Sequence, residues 1–306
     1  MAAVTADAVK TLRERTGAGM MECKKALVES NGDLDAAAEA MRKAGLAKAD
    51  KKASRVAAEG VIVIERSADG KLAAIVEVNC ETDFVAREAD FQRFASNVAK
   101  SALAHKPANL EALMVLKIDG GTLDEARRAL VAKIGENIGV RRFTLVNSTN
   151  AIGSYLHGTR IGALVSMKSG NEAVAKDIAM HIAAINPPYL TAAEVPAADL
   201  AKEKEIQLAQ TRADPKNANK PPEMLEKIIE GKLRKFTNEI TLLGQPFVKD
   251  DKQTVEAYLK KAGSEVASYV RYEVGAGIEK KQEDYVAEVM KTMKDAEKKP
   301  DPQPKK

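Results

Sequence analysis

Two octapeptides with a common pattern constrain the fold more than any other feature of the chain. Lys71-Leu72-Ala73-Ala74-Ile75-Val76-Glu77-Val78 and Arg160-Ile161-Gly162-Ala163-Leu164-Val165-Ser166-Met167 match position for position in character. Each follows another apolar run, 61–64 in one case and 152–156 in the other, across a turn: Asp69-Gly70 and His157-Gly158. Short apolar runs joined through a Gly-containing turn are hairpin signals. Each hairpin leads into a helical pattern, with Phe94, Ala95, Val98 and Ala99 matching Ile178, Ala179, Ile182 and Ala183. Each copy closes with a further helix and strand: 129–134 then 140–146, and 255–259 then 266–274. The expected fold class is α+β, with two related core subdomains, each a small antiparallel sheet carrying helices on one face.

The two copies differ in one informative place. The strand match is offset by 89 residues and the helix match by 84, so the first copy carries five more residues between strand and helix. The extra length holds Thr82-Asp83-Phe84-Val85, within the stretch 79–87, and an acid beside a large aromatic is expected there in a loop. Phe84 could pack beneath that loop while Asp83 caps the helix beginning near Ala89. The alternative is a working site. A scaffold needing only a connection has no use for the added length, and loops on rigid scaffolds are where function concentrates.

The second copy has its own insertion, between Asn186-Pro187-Pro188 and Gly244-Gln245-Pro246-Phe247. Its second arm carries Leu225, Ile229, Leu233, Phe236 and Ile240 at helical spacing, while the first arm, 197–212, is less regular. The pattern predicts two antiparallel helices in a coiled-coil-like hairpin whose stripe packs on itself.

Ahead of the repeat, residues 1–50 read as three short helices. Thr5 is placed as an N-cap, Val4, Ala8, Val9 and Leu12 share a face, and Gly17 is a C-terminal stop. Met20, Cys23, Ala26 and Leu27 mark the second helix, ended by Asn31-Gly32. Asp33 caps the third, with Leu34, Ala37, Ala38 and Met41 on one side. Met20-Met21, following the turn Thr16-Gly17-Ala18-Gly19, suits an adaptable contact surface, although one of the pair could equally be core. From 45 to 59 the composition shifts to Ala, Lys and Arg with no strong apolar period, which reads as a linker with a solvated basic face. The expected division is a bundle at 1–50, a linker at 51–59 and core subdomains at 60–146 and 147–282. The insertion occupies about 188–243, and a C-terminal helix and disordered tail occupy 283–306.

Composition excludes several classes of function. Net charge is +4, from 48 basic and 44 acidic residues, too balanced to advertise nucleic-acid binding. Cys23 and Cys80 are far apart and lack metal-ligand spacing. His105, His157 and His181 show no HExxH spacing, and His181, inside an apolar helix face, is expected to be packed; His157 falls at an exposed turn tip. No phosphate-cradling Gly-rich loop and no nucleophile elbow is present. No apolar run approaches the ~20 residues that span a bilayer, and no signal or transit pattern opens the chain. The reading is a cytoplasmic binding protein, not an enzyme, with no cofactor, no metal, no membrane and no direct nucleic-acid contact. An RNA- or ribosome-associated accessory protein using the basic linker is the alternative; it predicts binding that weakens steeply with salt.

Five stretches carry a resemblance. Thr16-Gly17-Ala18-Gly19-Met20-Met21-Glu22-Cys23-Lys24-Lys25-Ala26-Leu27 and Val78-Asn79-Cys80-Glu81-Thr82-Asp83-Phe84-Val85-Ala86 resemble the two signature stretches of the bacterial translation elongation factor Ts family. Lys133-Ile134-Gly135-Glu136-Asn137-Ile138, Tyr155-Leu156-His157-Gly158 and Gly244-Gln245-Pro246-Phe247-Val248 look like the same family, in the same order along essentially the whole chain. The resemblance implies a guanine-nucleotide exchange factor for elongation factor Tu. It also implies a ubiquitin-associated-like (UBA-like) N-terminal bundle, a two-subdomain core and an inserted coiled-coil hairpin. It makes Asp83 and Phe84 the pair that enters the partner's G domain and disturbs its Mg²⁺ site, with Thr82 and Val85 shaping the loop. Arg13, Met20 and Met21 match N-terminal contacts to that domain, and His157 matches a partner-contacting His. Relatives often have a polar residue where Leu156 precedes that His, and the tail beyond about Val289 is longer than the family leads one to expect. Whether the hairpin self-associates is left open.

Overall fold

The computed structural model describes residues 4–118, 120–217 and 220–279, so the expected C-terminal helix and tail at 283–306 lie outside the described residues. The bundle forms as its caps dictate. The Thr5 hydroxyl accepts from the Ala8 N–H at 3.2 Å to open α1 (Ala6–Thr16), which ends at Gly17 in the left-handed region, φ +67°. After α2 (Met20–Glu29), Asp33 Oδ1 accepts from the N–H groups of Asp35 and Ala36 to open α3 (Leu34–Lys52). Val9, Leu12, Cys23, Ala26, Leu27 and Ala37 form the small core. The third helix runs past its apolar stripe as far as Lys52, because Ala and Lys are strong helix formers.

The first subdomain comprises β1 (Glu59–Arg66), β2 (Leu72–Cys80), α4 (Asp83–Ala86), α5 (Ala89–His105), α6 (Leu110–Met114), the short pair β3 (Lys117–Ile118) and β4 (Gly121–Thr122), α7 (Leu123–Ile134) and β5 (Gly139–Asn147). Its antiparallel sheet has the order β1-β2-β5, with Val61 opposite Val78 and Ile75 opposite Thr144. The second subdomain repeats the plan in β6 (Ile152–His157), β7 (Ile161–Ser169) and α8 (Glu172–Ile185). The helical insertion α9 (Ala197–Ala213) and α10 (Pro222–Ile240) follows, then β8 (Pro246–Phe247), β9 (Asp250–Thr254), α11 (Val255–Lys261) and β10 (Glu265–Glu273). The order β6-β7-β10 is that of the first sheet, hairpin then closing strand. Of the apolar stripe on α10, Ile229 is buried and Leu225, Leu233, Phe236 and Ile240 are half-buried.

Strand β2 alternates between two neighbours. Ala74, Val76, Val78 and Cys80 pack with Phe91, Phe94 and Val98 of α5, while Ala73 and Ile75 pack with Ile152, Leu164 and Tyr272 of the second subdomain. The two sheets therefore meet face to face, with the helices outside. At Gly162 a Cβ would lie 2.6 Å from Ile62 Cγ2, so the sheets approach there as closely as a glycine permits. Glu77 falls on the inter-sheet side of β2 and is fully buried.

Candidate functional site

The stretch expected to be a loop is a single helical turn. Thr82 is its N-cap, with its hydroxyl accepting from the Val85 N–H at 3.4 Å, and α4 is four residues long. Glu88, not Asp83, occupies the N-cap position of α5. The turn sorts its side chains: Val85 and Ala86 are buried in the first subdomain's core, whereas Phe84 points out with 77% of its surface exposed. Packing of Phe84 beneath the segment is thus excluded. Asp83 forms an exposed ion pair with Arg87, Oδ2 to Nη2 at 2.6 Å.

Beneath the turn lies a set of polar contacts that sequence reasoning missed. The Glu136 carboxylate accepts from the Glu81 N–H at 3.1 Å, the Thr82 N–H at 3.0 Å and the Thr82 hydroxyl at 2.7 Å. In return, the Asn137 N–H donates to Glu81 Oε1 at 2.6 Å, and Arg55 Nη1 lies 3.4 Å from the same oxygen. The Asn137 amide donates to the carbonyls of Ala53 and Arg55 at 3.3 and 2.7 Å, and Lys52 Nζ donates to the Gly135 carbonyl. The loop after α7 thus holds both the end of α3 and the root of α4. The sequence signal was a polar pair, Glu136-Asn137, directly after the helix stop Gly135, φ +91°.

Cys80, at the end of β2, donates its thiol to the Thr82 carbonyl at 3.1 Å. Burial, reinforced by the carboxylates of Glu136, Glu59 and Asp83, pushes that thiol up to about 12. It stays protonated at neutral pH and is no nucleophile.

The other expected contact residues are all exposed. Arg13 lies in the last turn of α1, and Met20 and Met21, 57% and 76% exposed, open α2. Core placement of either methionine is thereby excluded. Next to them, Gly17 abuts the side chain of Lys133, whose ammonium reaches Asp90 in the first turn of α5 at 2.5 Å. His157 ends β6 on the second subdomain, 3.5 Å from the Tyr155 hydroxyl. Its turn is fastened to the start of β1: the Ile62 N–H donates to the Thr159 carbonyl at 2.7 Å and Arg160 pairs with Glu59. Glu59 stands opposite Cys80 in the sheet, so the turns carrying His157 and Phe84 are both rooted at the same end of β1.

His181 is packed, as expected. Its Nδ1 accepts from the Val248 N–H at 3.2 Å, which leaves Nε2 to donate to Gln245 Oε1 at 2.9 Å. Burial lowers its pKa, partly offset by the Gln245 bond. Gln245 in turn donates to the Glu239 carbonyl at 2.7 Å, so this ring fastens the root of the helical insertion. Among the described residues no group of three or more His, Cys, Asp or Glu could hold a metal ion, and no helix is long and apolar enough to cross a membrane.

A family model described as elongation factor TS matches residues 81–276. The chain is 55% identical over 289 residues to elongation factor Ts of Alkalilimnicola ehrlichii, covering 94% of this chain and 98% of the relative. It is 57% identical over 289 residues to elongation factor Ts of Xanthomonas axonopodis pv. citri, with the same coverage. With elongation factor Ts of Halorhodospira halophila it shares 53% identity over 293 residues, 96% of this chain and 99% of that one.

Proposed function

The chain belongs to the elongation factor Ts family, and from that premise we propose that it is a cytoplasmic guanine-nucleotide exchange factor acting on elongation factor Tu. The observation that carries this reading is Phe84, an aromatic ring held out in solvent on a one-turn helix whose next two residues, Val85 and Ala86, are buried. A ring so placed is suited to enter a pocket on a partner.

The mechanism is reciprocal coupling. Nucleotide and exchange factor favour different conformations of one GTPase, so each lowers the other's affinity by the same factor. Weakening nucleotide by ~10⁴ requires about 5.5 kcal/mol of differential binding. Burying one Phe contributes roughly 1.5–3 kcal/mol, so Phe84 does not suffice alone. Asp83, Arg13, Met20, Met21 and His157 supply further contacts, drawn from the bundle at 1–50 and the subdomains at 60–146 and 147–282. The partner's Mg²⁺ is an efficient target, because a bound cation is often the largest local charge holding phosphates. In this reading Asp83 and Phe84 displace the groups that hold that cation, with Thr82 and Val85 fixing the turn. No bond is made or broken.

Stopped-flow release of fluorescent GDP from elongation factor Tu, with and without the protein, tests the proposal. Acceleration is expected, and release at the spontaneous rate would overturn it.

A further inference from the structure

A helix of one turn does not hold itself together in water, because fixing the first turn costs more than its hydrogen bonds return. Within α4 and its caps the backbone bonds are Ala86 N–H to Thr82, Arg87 N–H to Phe84 and Glu88 N–H to Val85, at 3.3, 3.1 and 3.0 Å. The capping bond from Val85 is long, at 3.4 Å. Three charge-assisted bonds converge instead on Glu136, a half-buried carboxylate more than fifty residues away in sequence, and the one from the Thr82 hydroxyl is the shortest at 2.7 Å. Thr82 both donates its hydroxyl to Glu136 and offers the same oxygen to Val85. The orientation of the turn is therefore passed from Glu136 through Thr82 to the residues that follow.

We infer that Glu136 is the positioning residue for exchange: it sets the angle at which Phe84 is presented and acts only through Thr82 and Glu81. The inference rests on the exchange reading above and extends it to a residue outside the presenting turn. Lys52 donates to the Gly135 carbonyl and the Asn137 amide donates to the carbonyls of Ala53 and Arg55, so the residues on either side of Glu136 are held from behind. Replacement by Gln keeps an oxygen for the two backbone amides, and the new amide can donate to the Thr82 oxygen. Replacement by Asp shortens the reach by one methylene and breaks the convergence.

The test combines Glu136→Ala, Glu136→Gln, Glu136→Asp and Phe84→Ala with the double variant Phe84→Ala/Glu136→Ala, all in full-length protein. GDP release from elongation factor Tu is followed by stopped flow, and amide hydrogen exchange is followed at Glu81 and Thr82. Glu136→Ala and Glu136→Asp should lose about tenfold or more of the acceleration, and Glu136→Gln should stay within about threefold of wild type. The double variant should be no slower than Phe84→Ala alone, because a misplaced ring that is already absent cannot matter. The two amides should exchange about tenfold faster in Glu136→Ala.

Wild-type acceleration by Glu136→Ala, losses that multiply in the double variant, or unchanged amide protection would each overturn the inference. If Glu136→Ala fails to fold, Gln and Asp decide it: equal activity of the two overturns it. A wild-type protein that leaves GDP release unchanged would instead sink the exchange reading. The amide measurement would then still distinguish a real clasp from an absent one.

Discussion

Glu77 and Arg142 form an ion pair in which the carboxylate is wholly buried, Oε2 to Nε at 2.6 Å. Arg141 reaches the other oxygen at 3.0 Å, and the Gly275 N–H donates to that oxygen at 2.8 Å from the segment after β10. Arg142 also stacks on Tyr272, 4.1 Å from its ring centroid. One carboxylate thus pins β2, β5 and the end of the second subdomain together.

Burial pushes the Glu77 pKa up, but the bonds from Gly275, Arg142, Arg141 and Asn79 outweigh it and hold the group below its ordinary 4.5. A carboxylate depressed in the folded state contributes stability above its unfolded pKa and loses it as pH falls through the folded value. Urea melts should therefore show stability falling below about pH 4.5, with a flatter acid limb in Glu77→Gln. At neutral pH Glu77→Ala should cost about 3–5 kcal/mol, because it leaves two guanidinium groups facing an empty buried site.

Phe84→Ala should separate function from stability. The ring is largely exposed in the free protein, so stability measured in urea should change by no more than about 0.5 kcal/mol. Stopped-flow GDP release should slow roughly 10- to 100-fold, the equivalent of one buried Phe. Asp83→Ala breaks only an exposed pair with Arg87 and should slow release less than Phe84→Ala. A larger loss at Asp83 would make the acid, and not the ring, the main agent of exchange.

His181 should make the root of the helical insertion sensitive to acid. Its pKa is lowered in the folded state, so the unfolded chain takes up the proton first and stability is lost as pH falls from about 6.5 through the folded value. A protonated Nδ1 can no longer accept from Val248. Protection of the Val248 amide, its exchange measured against an unstructured amide at the same pH, should fall below pH 6.5, and His181→Phe should remove that pH dependence. That variant leaves Gln245 Oε1 without a donor and should cost about 1–3 kcal/mol at neutral pH.

Gly162→Ala should destabilise by about 1–3 kcal/mol through overpacking. The added methyl meets Ile62 Cγ2 at 2.6 Å and Ile75 Cδ1 at 3.2 Å. Ile62→Ala should cost less in that background than in the wild type when both are measured by urea denaturation, since the two changes share one contact.

Local signals were legible in the sequence, and the reasons are local too. Thr5, Gly17 and Asp33 act on residues within one turn of themselves. The repeated octapeptides predicted two sheets whose strand orders agree. The contacts of Glu136 were not legible, because nothing at 133–138 indicates which distant amides it satisfies. Glu77 was equally opaque: in an alternating strand it reads as a solvent-facing residue until a second sheet is known to lie over it. The exposure of Phe84 was foreseen as a question and answered by its neighbours, since burying Val85 and Ala86 on one short turn leaves the ring nowhere inward to go.

The face-to-face sheets have a mechanical consequence. One side of each sheet is occupied by its twin and the other by helices, so neither broad face of either sheet is open to a partner, whereas the turns carrying Phe84 and His157 are exposed at the rim. In the exchange reading proposed above, the molecule works as calipers do, by the tips of stiff jaws. In that reading the gap between those tips sets what the protein can grip, and a substitution in the buried seam between the sheets should change that gap without touching either tip.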